Sequence, residues 1–188
     1  MTQKSTMMTT ENTLDSTSEQ PPKKVRKTRR PRKKASPAAT KKLPSNPFMN
    51  EILELVSEQK TDDGKIAILK EYECDIIKSL FIWNFDDSVI SLLPQGTVPY
   101  KPNENPLGTD HSSLRREQRS LYNFVKGGND QLSTIRRETI FIQMLEGLHP
   151  KEADIVIAVK DGNLEDMYDV PFEVVEEAYP DIQWGGRS

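Results

Sequence analysis

The sequence predicts an all-α fold: a small multi-helix domain with a long Pro/Gly loop, preceded by a disordered basic N-terminal arm. Three observations carry this. Apolar residues return at helical spacing through most of residues 45–184, above all from His111 to Gly162, between residues that start and stop helices. A single run, Ile155-Val156-Ile157-Ala158-Val159, could alone be a buried strand, but its opening and closing signals are helical and no second strong strand stands near enough to pair with it, so it reads as a helix. From Lys23 to Lys42 there are eleven Lys and Arg and no acid, whereas Leu43–Ser188 holds fourteen Lys and Arg against twenty-six Asp and Glu, a balance of −12.

The tail comes first, over residues 1–44. Met1–Gln20 is rich in Thr, Ser, Gln and Asn and has almost nothing to bury, so it is expected to be disordered. Residues 21–42, PPKKVRKTRRPRKKASPAATKK, form the basic arm, where proline and mutual repulsion of like charges favour an extended chain. The helical domain is expected over 45–184, with residues 185–188 fraying at the end.

Within the domain, Pro47 suits a first helical position, and Phe48, Ile52, Leu55 and Val56 share one face up to about Gln59. The chain restarts at Asp62-Asp63-Gly64. Ile66, Leu69, Ile76, Ile77, Leu80 and Phe81 continue the helical pattern, with a break near Glu73. The acid pairs Asp62-Asp63 and Asp86-Asp87 read as turns and helix caps, because two neighbouring carboxylates do not fill a cation's coordination shell. Val89–Leu93 reads as a short extended segment. Pro94–Asp110 then holds four prolines and two glycines, a loop of functional length, from which Tyr100 either packs back across the helices or stands out on a polyproline-like strut.

A helix is predicted from near Ser113 to the Gly127-Gly128 stop, with Leu114, Leu121, Phe124 and Val125 facing the core. The adjoining side carries Arg115, Arg119, Tyr122 and Lys126. Three cations around an aromatic ring suit a phosphate backbone with a stacked base, although a solvated amphipathic face accounts for them more simply. The next helix starts at Ser133 or Thr134. Ile135, Phe141, Ile142, Met144, Leu145 and Leu148 cover over half its circumference, which predicts a place in the middle of the core. Leu114-Arg115-Arg116-Glu117 and Ile135-Arg136-Arg137-Glu138 echo each other, but two copies are not a repeat, and their arginines imply anionic or acidic neighbours. Pro150 and Asp161-Gly162 bracket a further helix. The last begins at Pro171, with Phe172, Val175 and Tyr179 inward, Glu173, Glu176 and Glu177 outward and Pro180 as its end; Trp184 closes the core edge.

Residue patterns that carry chemistry are missing. There is no paired-Cys motif, no His-Glu-x-x-His, no Gly-x-Ser-x-Gly and no phosphate loop, since Gly127-Gly128 lacks a following Lys-Ser/Thr. His111 and His149 stand alone in the sequence and read as cap or surface residues, and Cys74, the one cysteine, reads as an inert thiol in a reducing compartment. These readings predict no enzyme, no cofactor and no metal. No run approaches a membrane span, and the N-terminus lacks the order of a signal peptide.

The basic arm is the positive signal. Lys23, Lys24, Arg26, Lys27, Arg29, Arg30, Arg32, Lys33, Lys34, Lys41 and Lys42 can displace counterions from DNA or RNA with little sequence preference. Arg115, Arg119, Tyr122 and Lys126 are the candidate contacts on the body.

The segments LLPQGTVPYKPNENPLG, LRREQRSLYNFVKGG and IRRETIFIQMLEGLHPKEADIVIAVKDGNL, with PFEVVEEAYP after them, carry a resemblance. Over roughly Asn46–Pro180, the body without the arm, the chain resembles small uncharacterised proteins of T4-like tailed bacteriophages of marine bacteria. The resemblance implies a phage protein in an infected bacterial cytoplasm and transfers no activity to any residue. It also counts against reading PPKKVRK as a nuclear signal. The expectation is a non-enzymatic accessory protein whose arm binds nucleic acid and whose acidic helical body docks on a phage or host protein. A virion or assembly protein is the alternative. An enzyme with a site under the 94–110 loop, using His111 or nearby acids, is the third reading.

Overall fold

Helix α1 (Met49–Ser57) begins two residues after Pro47, because the Glu51 carboxylate accepts the Phe48 N–H at 2.9 Å and fixes Phe48 as the cap. The computed structural model describes residues 42–106, 109 and 111–186. The disordered arm predicted for residues 1–44 therefore lies outside the described residues, apart from 42–44. Thr61 caps α2 (Asp62–Glu71) by accepting the Gly64 N–H, and Asp62 and Asp63 occupy its first turn, where carboxylates suit the helix dipole. The break expected near Glu73 separates α2 from α3 (Asp75–Phe85) at Cys74.

After the 94–110 loop come α4 (Leu114–Glu117), a 3-10 segment (Gln118–Phe124), α5 (Thr134–Gly147), α6 (Pro150–Lys160), α7 (Leu164–Tyr168) and α8 (Phe172–Ala178). The body is all-α. Among the described residues the extended pairings are two isolated bridges, Ser91 with Val125 and Ser112 with Leu148. The β-branched run of residues 155–159 is helical, as its bracketing signals require: His149 accepts the Lys151 N–H at the start, and Asp161-Gly162 ends the helix with Gly162 at φ +73°.

Burial makes α6 the hub. Ala153, Ile155, Val156, Ala158 and Val159 are all buried, and the helix packs on α1, α3, α5 and α7. On the far side α2 packs against α1 and α8. Helix α3 feeds rings to both halves. Phe81 meets Tyr179 at 6.1 Å between centroids and Phe85 meets Phe172 at 5.8 Å, while Trp83 stacks on Phe124 at 6.2 Å and 15°. Trp184 closes the first string against Phe172 at 5.0 Å. Buried polar ties lock the packing: Tyr179 donates its hydroxyl to the Leu69 carbonyl at 2.7 Å, and buried Lys65 pairs with Asp169, whose backbone sits at φ +51°.

Helix α5 does not sit in the middle of the core. Ile135 is 80% exposed, and the buried residues of α5 are Arg137, Phe141, Met144 and Leu145. The inward stripe starts at Arg137 and advances by four and then three or four residues, which turns Ile135 to solvent. Arg137 holds that inward place because its guanidinium bonds the Asn123 carbonyl at 2.7 Å and the Asn129 carbonyl at 2.9 Å. Its neighbours are thus carbonyls, not the acids that the sequence implied. At the other end of the chain the Gly185 N–H donates to Asp86, which places a tether within the stretch expected to fray.

Candidate nucleic-acid interface

The surface that carries the body's candidate contacts is built from α4 and the 3-10 segment. A continuous helix from Ser113 to Lys126 was expected; the chain instead makes one α-turn, tightens to 3-10 and leaves the helix at Val125. Local bonds explain the change. The Leu92 N–H donates to the Phe124 carbonyl at 2.8 Å and the Lys126 N–H to the Ile90 carbonyl at 2.9 Å, so the 90–92 stretch takes backbone groups a helix would have used. Residues three apart then eclipse, while residues four apart are turned about 120° from each other. Arg119 and Tyr122 share a side, and Arg115 leaves it.

Arg115 faces the start of α1, its Nε and Nη2 both 3.4 Å from the Pro47 carbonyl. Arg119, Tyr122 and Lys126 remain together on the rim of a groove of about 790 Å³. Across from them α3 supplies Asp75 and Ser79, and Ile82, Trp83 and Val89 are apolar lining. Tyr122 is 53% exposed. Arg119 and Lys126 are exposed, and neither forms an ion pair among the described residues. Trp83 is only 6% exposed, yet its indole Nε1 has no hydrogen-bond partner, a cost that buried donors seldom carry. Gly128 closes one end of the groove, where a Cβ would stand 1.9 Å from the Tyr122 carbonyl oxygen.

A second cluster surrounds Glu152. This fully buried carboxylate, from the first turn of α6, accepts the Met49 N–H and the Leu114 N–H at 3.0 Å each, capping α1 and α4 together. Burial pushes its pKa above the ordinary carboxylate range, with the two amide bonds pulling it back. His111 and His149, isolated in sequence, meet edge to face at 5.3 Å. The His111 Nε2 lies 2.8 Å from the Asn105 carbonyl. Burial, then the neighbouring His111 and Lys151, holds the His149 pKa below its usual value.

Beneath residues 94–99, at the start of the loop, the structure places a cavity of about 100 Å³, lined mainly by Leu93, Val98, Phe141 and Ile142. Lys160 anchors the loop from inside, donating to the Pro94 carbonyl at 2.8 Å and the Gly96 carbonyl at 3.2 Å and pairing with Asp161. Tyr100 packs back against the core. Among the described residues no three His, Cys, Asp or Glu gather closely enough to hold a metal ion, and no helix is long and apolar enough to cross a membrane.

Of the arm's candidate contacts, Lys42 is described and exposed; Lys23, Lys24, Arg26, Lys27, Arg29, Arg30, Arg32, Lys33, Lys34 and Lys41 lie outside the described residues. The sequence reading missed Trp83 and Glu152. Trp83 sits in an unbroken apolar stretch of α3 and shows no sign of facing a groove. The signal for Glu152 was its place in a helix's first turn, where acids are ordinary.

Residues 52–166 match the model of a protein family described as a family of unknown function (DUF6433). No curated protein and no solved structure matches the chain.

Proposed function

We propose, for a chain that belongs to DUF6433 and inherits no activity from that membership, a non-enzymatic role: the basic arm binds DNA or RNA and the acidic helical body docks on another protein. One observation carries this. Eleven Lys and Arg without an acid over Lys23–Lys42 adjoin a body whose balance is −12, so one chain offers a polyanion and a basic protein surface separate places to bind. Arg119, Lys126 and the exposed ring of Tyr122 add a second cationic surface on the body. On the resemblance to T4-like phage proteins, we place the protein in the cytoplasm of an infected bacterium, with a phage or host protein as its docking partner. If the polyanion is packaged DNA, the same charge division suits a virion or assembly protein, and mass spectrometry of purified particles separates the two.

The test compares the whole chain with a version starting at Leu43 on the same DNA and RNA across a salt series. The whole chain should bind with log K falling steeply in log salt, by about 0.9 per phosphate neutralised on duplex DNA. The shortened chain should lose most of that slope. Salt-insensitive binding, or equal binding by both versions, would remove the arm from the account.

A further inference from the structure

The groove between α3 and the 3-10 segment has features that a basic surface alone does not need. We infer that it is a pocket for one unpaired base of a single-stranded nucleic acid, an inference that rests on the nucleic-acid reading above.

Four observations converge on this occupant. The groove, about 790 Å³, falls within the usual range of small-ligand sites. Tyr122 stands on its rim, 53% exposed, and offers a ring face to any base that turns toward it. Arg119 and Lys126 flank that ring without an ion-pair partner among the described residues, so phosphates on either side of a bound base would meet cations that are not already neutralised. Trp83 belongs to the lining, and its buried indole N–H has no acceptor within the protein.

The charge layout fixes the orientation. Asp75 lies on the α3 wall, opposite the two cations, and repels phosphate. The backbone therefore tracks the Arg119 and Lys126 side, and only the base crosses toward α3, where Asp75 and Ser79 accept hydrogen bonds from an exocyclic amine. A base paired within a duplex has its Watson–Crick edge occupied and both faces stacked, so it cannot enter.

The experiment uses the whole chain and labelled single strands of about ten nucleotides, with a duplex of the same length as control. Tyr122→Ala should weaken single-strand binding by about 5- to 100-fold and leave duplex binding unchanged, while Tyr122→Phe keeps both. In a Trp184→Phe background the one remaining indole N–H resonance belongs to Trp83, and it should shift on adding the single strand but not the duplex. Unchanged single-strand binding in Tyr122→Ala, or an indole signal that ignores the single strand, overturns the base pocket while the arm's binding stands; the groove then passes to the body's protein partner. If the unmodified chain binds neither nucleic acid, the broader reading fails first and the pocket with it.

Discussion

Glu152 is the residue whose replacement should be felt furthest. Its two oxygens satisfy amides at the starts of two helices, and it is wholly buried. Glu152→Gln keeps the shape but replaces one acceptor with an N–H that points at another N–H. The expected loss is about 1–3 kcal/mol of unfolding free energy, read as a lower denaturant midpoint with an unchanged slope. Stability within a few tenths of the parent would mean that another group caps one of the two helices. At this scale the sequence was only partly legible. Leu114, Leu121, Phe124, Ile76, Ile77, Leu80 and Phe81 are buried as their spacing required. Arg137, Lys160 and Glu152 are buried too, and no periodicity could say so, because each is held through backbone groups of other segments: Asn123 for Arg137, Pro94 for Lys160 and Leu114 for Glu152.

Among the elements, the 3-10 segment shows where local pattern loses to tertiary pairing. The apolar spacing from Leu114 to Val125 fits an α-helix, but the bonds that join the 90–92 stretch to Phe124 and Lys126 impose the tighter winding. That winding separated Arg115 from Arg119 and left three of the four candidate contacts on one groove. Gly128 guards the geometry. In Gly128→Ala the new methyl would overlap the Tyr122 carbonyl and force the turn open, at a cost of about 1–3 kcal/mol. Gly127→Ala meets no neighbouring atom and pays only for its φ of +81°, about 1 kcal/mol. Thermal unfolding should rank the two in that order, and the reverse order would place the tight contact elsewhere.

For the whole molecule, stability should be unevenly spread. Helix α6 is buried on most sides, whereas α5 touches mainly α6 and the 3-10 segment and turns Ile135 to water. Hydrogen exchange should therefore open the first turns of α5 at lower free energy than the centre of α6. Equal protection would mean that the Arg137 clamp couples α5 fully to the rest. The helical class and the order of elements could be read from the chain, since both follow from local stop signals and spacing. Which helix would be central could not, because a broad apolar circumference reports only that a helix can be covered.

The double cap on Glu152 also bears on synthesis. Met49 and Leu114 precede Glu152 by 103 and 38 residues, so a ribosome will have released the starts of α1 and α4 well before their common acceptor leaves the exit tunnel. Until then the Met49 and Leu114 amides rely on water, and the nascent N-terminal half cannot reach its finished form domain-first. The body should instead settle late and in one step, once α6 emerges.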